Sequence, residues 1–175
     1  MKQQVIAVVG TKKSGKTTTI ENLIRELTNR GYKVAAIKHV PELDHTIDTP
    51  GKDTWRYAQA GAKTIVSAAA SEIATIEKTS VETVKLDALI RKCKGNDIVF
   101  IEGLKKRVAK RKDISKIVVA KTMDEAVNAL EIYKPILVFS GPYSTKNLNF
   151  EIPYADALTN AQELADIIEN KLIKK

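Results

Sequence analysis

The chain has 175 residues, 43% of them hydrophobic and 29% charged, with a formal net charge of +8. That balance excludes a disordered chain and describes a globule burying roughly 70% of its unfolded surface. No apolar stretch nears the ~20 residues of a membrane span, the single Cys93 excludes an internal disulfide, and the cationic excess suits a polyanionic ligand.

The opening residues run into an apolar strand pattern, Val5-Ile6-Ala7-Val8-Val9, without a signal-peptide layout, so a cytoplasmic location is expected. Gly10-Thr11-Lys12-Lys13-Ser14-Gly15-Lys16-Thr17 follows and spells G-x-x-x-x-G-K-[ST], the phosphate-binding P-loop. Glycines at both ends let the backbone approach an anion, and successive N–H groups form a nest for a diphosphate. The next helix adds its unpaired N-terminal donors. Gly10 to Thr18 are therefore the predicted nucleotide ligands. Lys16 would reach the β- and γ-phosphates, and the Thr17 hydroxyl would bind Mg²⁺. For Lys12 and Lys13 solvation competes with phosphate contact.

Apolar residues at Ile20, Leu23, Ile24 and Leu27 predict a helix from Thr17 to Arg30, closed by Gly31. Val34 to Ile37 reads as a strand, Asp53 to Ala60 as a helix ending at Gly61, and Lys63 to Ala69 with Ile73 to Glu77 as a strand pair. Val81 to Lys92 has helical spacing, Asp97 to Ile101 is a buried strand, and Ile117 to Ala120 another. Met123 to Leu130 is predicted helical, Pro135 to Phe139 extended, and Asn160 to Leu172 the last helix. Short apolar strands alternating with helices predict an α/β P-loop NTPase fold. Its central β-sheet is mostly parallel and flanked by helices on both faces, within a single domain over residues 1–175.

Ligands of such sheets bind at the strands' carboxyl ends. Glu102, at the tip of one buried strand, is a candidate Mg²⁺ partner. The segment behind it places six cations in eight positions from Lys105 to Lys112. Such a run reads equally as a solvated, self-repelling loop or as an anion contact. Asp48-Thr49-Pro50-Gly51 matches the D-x-x-G γ-phosphate sensor, although no apolar strand precedes it. Ser144-Thr145-Lys146-Asn147 lacks the acid of a guanine-reading segment, so the residues alone leave the base open. His39 and His45 with Asp44 and Asp48 have poor spacing for a transition metal, which favours substrate contact or loop hydrogen bonding. Cys93 stands between lysines in Arg-Lys-Cys-Lys, a setting that can lower a thiol pKa.

The P-loop, then Ile37-Lys38-His39, Asp48-Thr49-Pro50-Gly51-Lys52-Asp53-Thr54-Trp55-Arg56, Ala60-Gly61-Ala62 and Ile101-Glu102-Gly103-Leu104-Lys105 together resemble the molybdopterin-guanine dinucleotide biosynthesis protein B (MobB) family. The resemblance implies a small GTP-binding homodimer, at most a slow Mg²⁺-dependent GTPase. It would assist the guanylyltransferase partner that attaches GMP to the molybdopterin cofactor. It also implies Thr17, Glu102 and Asp48 as Mg²⁺ ligands, and Lys16, Asp48 and Glu102 as the groups nearest the chemistry. Lys38, His39, Lys52, Asp53, Arg56 and Lys105 would line the cofactor or nucleotide cleft. Val40 to Asp44 is less histidine-rich than the family pattern. A small-molecule or nucleoside kinase shares loop, sheet and Mg²⁺ and is the alternative; its acceptor would need Asp48 or Asp53 as base. A nucleic-acid-binding ATPase has only charge in its favour, and no nucleic-acid motif accompanies that charge.

Overall fold

The computed structural model describes residues 2–42, 45–148 and 151–174. In chain order the elements are β1 (Gln4–Gly10), α1 (Lys16–Asn29), β2 (Val34–Lys38), α2 (Asp53–Gln59), β3 (Thr64–Ala68), β4 (Ile73–Glu77), α3 (Leu86–Lys92), β5 (Ile98–Glu102), α4 (Lys105–Val108), β6 (Ser115–Val119), α5 (Met123–Ile132), β7 (Ile136–Ser140) and α6 (Ala161–Ile168). A π-helical turn, Glu169–Ile173, continues α6. The chain divides into two compact units, Met1–His39 with Ile90–Lys175, and Val40–Leu89.

The first unit holds a five-stranded sheet in the order β2-β5-β1-β6-β7, parallel throughout. Strand side chains alternate between faces, and here both sets are buried. Ile6, Val8, Ile98, Phe100 and Ile117 pack with Ile20, Leu23 and Leu27 of α1 and Leu164, Ala165 and Ile168 of α6. Ala7, Val9, Val99, Ile101 and Val118 are equally buried on the opposite face. Burial on two faces explains why these strands read as unbroken apolar runs.

The helix ends follow their local chemistry. Beyond α1, the Tyr32 N–H donates to Leu27 O at 3.1 Å and the Gly31 N–H to Thr28 O at 2.9 Å, a Schellman closure. Arg30 then ties α1 to α6, reaching Asp166 at 2.7 Å and Glu169 at 3.2 Å. Thr122 caps α5, its hydroxyl oxygen accepting the Glu125 N–H at 3.2 Å.

The basic run does not behave as a free loop. Lys105 to Val108 form one helical turn, anchored by buried Leu104, Val108 and Ile114. Arg111 pairs with Asp113 at 2.6 Å. Lys116 is wholly buried, and its ammonium donates to Arg111 O and Lys134 O, both at 2.6 Å. Burial holds Lys116 near a pKa of about 8, with the Asp113 charge opposing and the Arg111 charge adding to the fall. The Cys93 thiol is pushed up by burial, so its cationic neighbours in sequence do not make it a thiolate.

The second unit carries α2 and an antiparallel hairpin in which Thr64 pairs with Glu77 and Ala68 with Ile73. Ile65 is buried, whereas Val66 and Ile73 are 61% and 74% exposed. The helix expected from Val81 starts at Leu86 instead. Ser80 accepts the Glu82 N–H through its hydroxyl at 3.2 Å, while its carbonyl accepts from Thr83, so a turn replaces the first helical residues.

Candidate functional site: the phosphate loop and its strand-end partners

The loop between β1 and α1 is built by close approach. A Cβ on Gly10 would fall on the Val119 carbonyl oxygen of β6 and 2.7 Å from Ser14 Oγ, so no side chain fits there. Gly15 has φ +98°, a conformation that glycine adopts without strain, and from it the chain enters α1. The first helical bond runs from the Thr19 N–H to Gly15 O at 2.9 Å. No side chain caps this helix, so its leading amides face the loop's concavity. The resulting cavity, about 430 Å³, is lined by Lys12 to Thr18 and Glu102.

Lys16 folds back and donates to Thr11 O at 2.5 Å. Burial lowers its pKa; Lys105, Lys38 and Lys121 lower it further and Glu102 raises it. A bound polyanion would reverse that shift by supplying opposite charge. The Thr17 hydroxyl donates to Glu102, with Oγ1 lying 3.0 Å from Oε1 and 3.1 Å from Oε2. Lys38 Nζ lies 3.1 Å from Glu102 Oε2 and 3.3 Å from Thr17 Oγ1. Sheet register enforces this meeting, because Lys38 on β2 is paired with Glu102 on β5. The hydroxyl and carboxylate are hard oxygen donors that fit Mg²⁺, an ion that binds through few protein ligands plus phosphate and water. No cluster of three or more His, Cys, Asp or Glu residues that could hold a metal occurs among the described residues.

The loop is braced from α5. Thr11 Oγ1 donates to Glu125 Oε1 at 2.9 Å, and the Lys121 N–H donates to Oε2 at 2.8 Å. Lys121 Nζ also reaches Lys12 O at 3.4 Å. Burial alone would raise the Glu125 pKa, but these hydrogen bonds and the Lys121 and Lys105 charges bring it below the ordinary carboxylate value. Glu125 was not among the expected site residues. Its only sequence signal, Thr122-x-x-Glu125, marks a helix start and says nothing of the loop. Lys105 and Glu125 also line a second cavity, about 240 Å³, with Thr11, Asn128 and Tyr133.

Of the expected cleft residues, Lys38, His39 and Lys105 belong to the first unit, as do the loop and Glu102. The His39 N–H donates to Glu102 O at 2.9 Å, and its Cβ stands 2.9 Å from where a Cβ on Gly103 would lie. Asp48, Lys52, Asp53 and Arg56 belong to the second unit. There Asp48 Oδ1 accepts from Thr54 Oγ1 at 2.8 Å and from the Thr49 N–H at 3.0 Å, closing the D-x-x-G turn onto α2. Asp48 Oδ2 is buried without a hydrogen-bond partner. Asp53 pairs with Arg56 at 3.4 Å. Asp44 lies outside the described residues, and His45 is exposed.

Comparison with known proteins places the chain in a family. The family model described as MobB, molybdopterin guanine dinucleotide synthesis protein B, matches residues 5–138. The chain is 39% identical over 125 residues to a Methanocaldococcus jannaschii relative, covering 69% of this chain and 49% of that protein. It is 35% identical over 103 residues to the molybdopterin-guanine dinucleotide biosynthesis adapter protein of Haemophilus influenzae, covering 58% of this chain and 57% of that one. The matched region thus spans about half the length of these curated relatives. A solved structure of molybdopterin-guanine biosynthesis protein B superposes with a TM-score of 0.74 at 26% identity, covering 98% of this chain and 99% of the other. Bacillus subtilis MobB, at 21% identity and a TM-score of 0.71 with the same coverage of each chain, shares the fold. With a parallel sheet, a P-loop and a matching family model over most of its length, the chain belongs to the MobB family.

Proposed function

We propose that this chain binds GTP with Mg²⁺ in the phosphate loop and serves as an adapter in molybdopterin guanine dinucleotide biosynthesis, assisting the enzyme that joins GMP to molybdopterin. The observation that carries the reading is the nest from Gly10 to Thr17 with the Thr17 hydroxyl 3.0 Å from the Glu102 carboxylate. Loop amides and the leading amides of α1 hold the phosphate oxygens, and Lys16 leaves Thr11 O for the β- and γ-phosphates. Thr17 and Glu102 would supply the protein oxygens for a bound Mg²⁺, which would neutralise charge on those phosphates. Glu102 already accepts from Thr17 and Lys38, which fits holding a cation better than taking a proton from water. Hydrolysis is accordingly slow, and the protein acts by what it holds.

The protein works as a cytoplasmic homodimer on this reading, and the exposed Val66 and Ile73 on the hairpin favour a partner surface. No helix among the described residues is long and apolar enough to cross a membrane. Calorimetric titration with GTP and ATP in magnesium tests the proposal, the expected result being tighter binding of GTP. Preference for ATP, with phosphoryl transfer to an added acceptor, would replace it with the kinase reading.

A further inference from the structure

Two ammonium groups at or beside the nest are parked on the protein's own oxygens. Lys16 sits on the Thr11 carbonyl, 2.5 Å away. Lys38 sits between the two side chains whose chemistry suits a divalent cation, 3.1 Å from Glu102 Oε2 and 3.3 Å from Thr17 Oγ1. Glu102 has a side-chain exposure of 15%, against 56% for Lys38, so the carboxylate is held while the lysine has room to leave. The pairing of Lys38 with Glu102 in adjacent parallel strands fixes both Cα positions, and the longer, more exposed lysine stem is the freer of the two side chains.

We infer that Lys38 is a resident stand-in for the metal: its ammonium balances Glu102 in the metal-free protein and must be displaced for a divalent cation to reach Glu102 and Thr17. The consequence runs in two directions. Without metal, Lys38 hides the Glu102 charge from an incoming triphosphate. With metal, the ion must compete against a tethered cation, which weakens its binding to the nucleotide-free chain. Lys38 is thus a positioning residue that sets how strongly nucleotide and metal depend on each other. This inference rests on Thr17 and Glu102 being the metal's protein oxygens, as proposed above.

The decisive measurement uses the full chain and Mn²⁺ alone, followed by electron paramagnetic resonance, with no nucleotide present. Lys38→Met keeps the stem and removes the charge; Lys38→Gln is a second neutral variant should the first fail to fold. Either is expected to bind Mn²⁺ roughly tenfold more tightly than the unaltered chain, the scale of one charge-assisted contact. Adding Glu102→Gln should abolish the gain. Unchanged or weaker Mn²⁺ binding in the neutral variants overturns the inference, and so does a gain that survives Glu102→Gln. A second arm measures GTP binding. Lys38→Met should weaken it roughly tenfold in EDTA and much less in excess magnesium, whereas equal weakening in both would make Lys38 a plain phosphate contact. Failure of the unaltered chain to bind GTP under either condition would sink the proposed function, while the Mn²⁺ result would still judge Lys38.

Discussion

At the scale of single residues, charge is managed by position more than by number. Lys16 is half-buried beside the nest, and Lys105, Lys38 and Lys121 all press on it. Lys16→Ala removes a charged contact worth about 1.5–3 kcal/mol, so triphosphate affinity should fall roughly 10–150-fold by calorimetry. An unchanged affinity would place the ligand elsewhere. Lys116 has the opposite problem, a charge with no water. Its folded pKa of about 8 lies below the unfolded 10.5, so burying the charged form costs stability below pH 8. Unfolding takes up a proton between those values, and stability from this group rises as pH climbs from about 8 to 10.5. Denaturant midpoints across that window should rise in the native chain relative to Lys116→Met. Parallel lines for the two would show that Lys116 does not titrate differently on folding.

At the scale of elements, α1 unites sheet, phosphate loop and α6. Its Leu23 is fully buried in the cluster shared with α6. Leu23→Ala should destabilise by about 2–5 kcal/mol, read from urea unfolding, since lost transfer energy and a residual cavity add. A change below about 1 kcal/mol would mean that the helix repacks without it. The same helix shows what a sequence discloses. The P-loop string, the spacing of Ile20, Leu23 and Leu27, and Gly31 each report a local rule, and each is met in the structure. Glu102 stood out as a candidate because ligands gather at strand ends, and Lys38 through the family resemblance; the structure brings the two side chains together. Less legible was anything settled by partners distant in sequence. The basic run seemed self-repelling because its buried anchors, Leu104, Val108 and Ile114, are spread singly among the charges. Lys116 disappears into a strand that reads as apolar from Ile117 onward, and its carbonyl acceptors come from two loops. The Ser80 turn took the first residues of α3 because a hydroxyl offered the backbone a nearer acceptor than a helix would. The Glu125 brace links positions 114 apart, beyond the reach of any short motif.

At the scale of the whole molecule, the +8 charge is consistent with a polyanionic ligand, and the nest gathers Lys12, Lys13 and Lys16. Sheet order accounts for the location. β1 lies between β5 and β6, so the loop it delivers has Glu102 on one side and Val119 on the other. The two rims of this sheet are unequal. Beyond β7 the Phe139 N–H donates to Pro153 O and the Ala155 N–H to Phe139 O, so that rim is stitched by the segment around Tyr154. Beyond β2 no described strand shares the outward peptide groups, and the strand is short and bracketed by Lys33 and Lys38. Brevity and lysines discourage stray pairing along such a margin. Any visiting chain that did extend the sheet there would run beside Lys38, on the strand next to the one that carries Glu102.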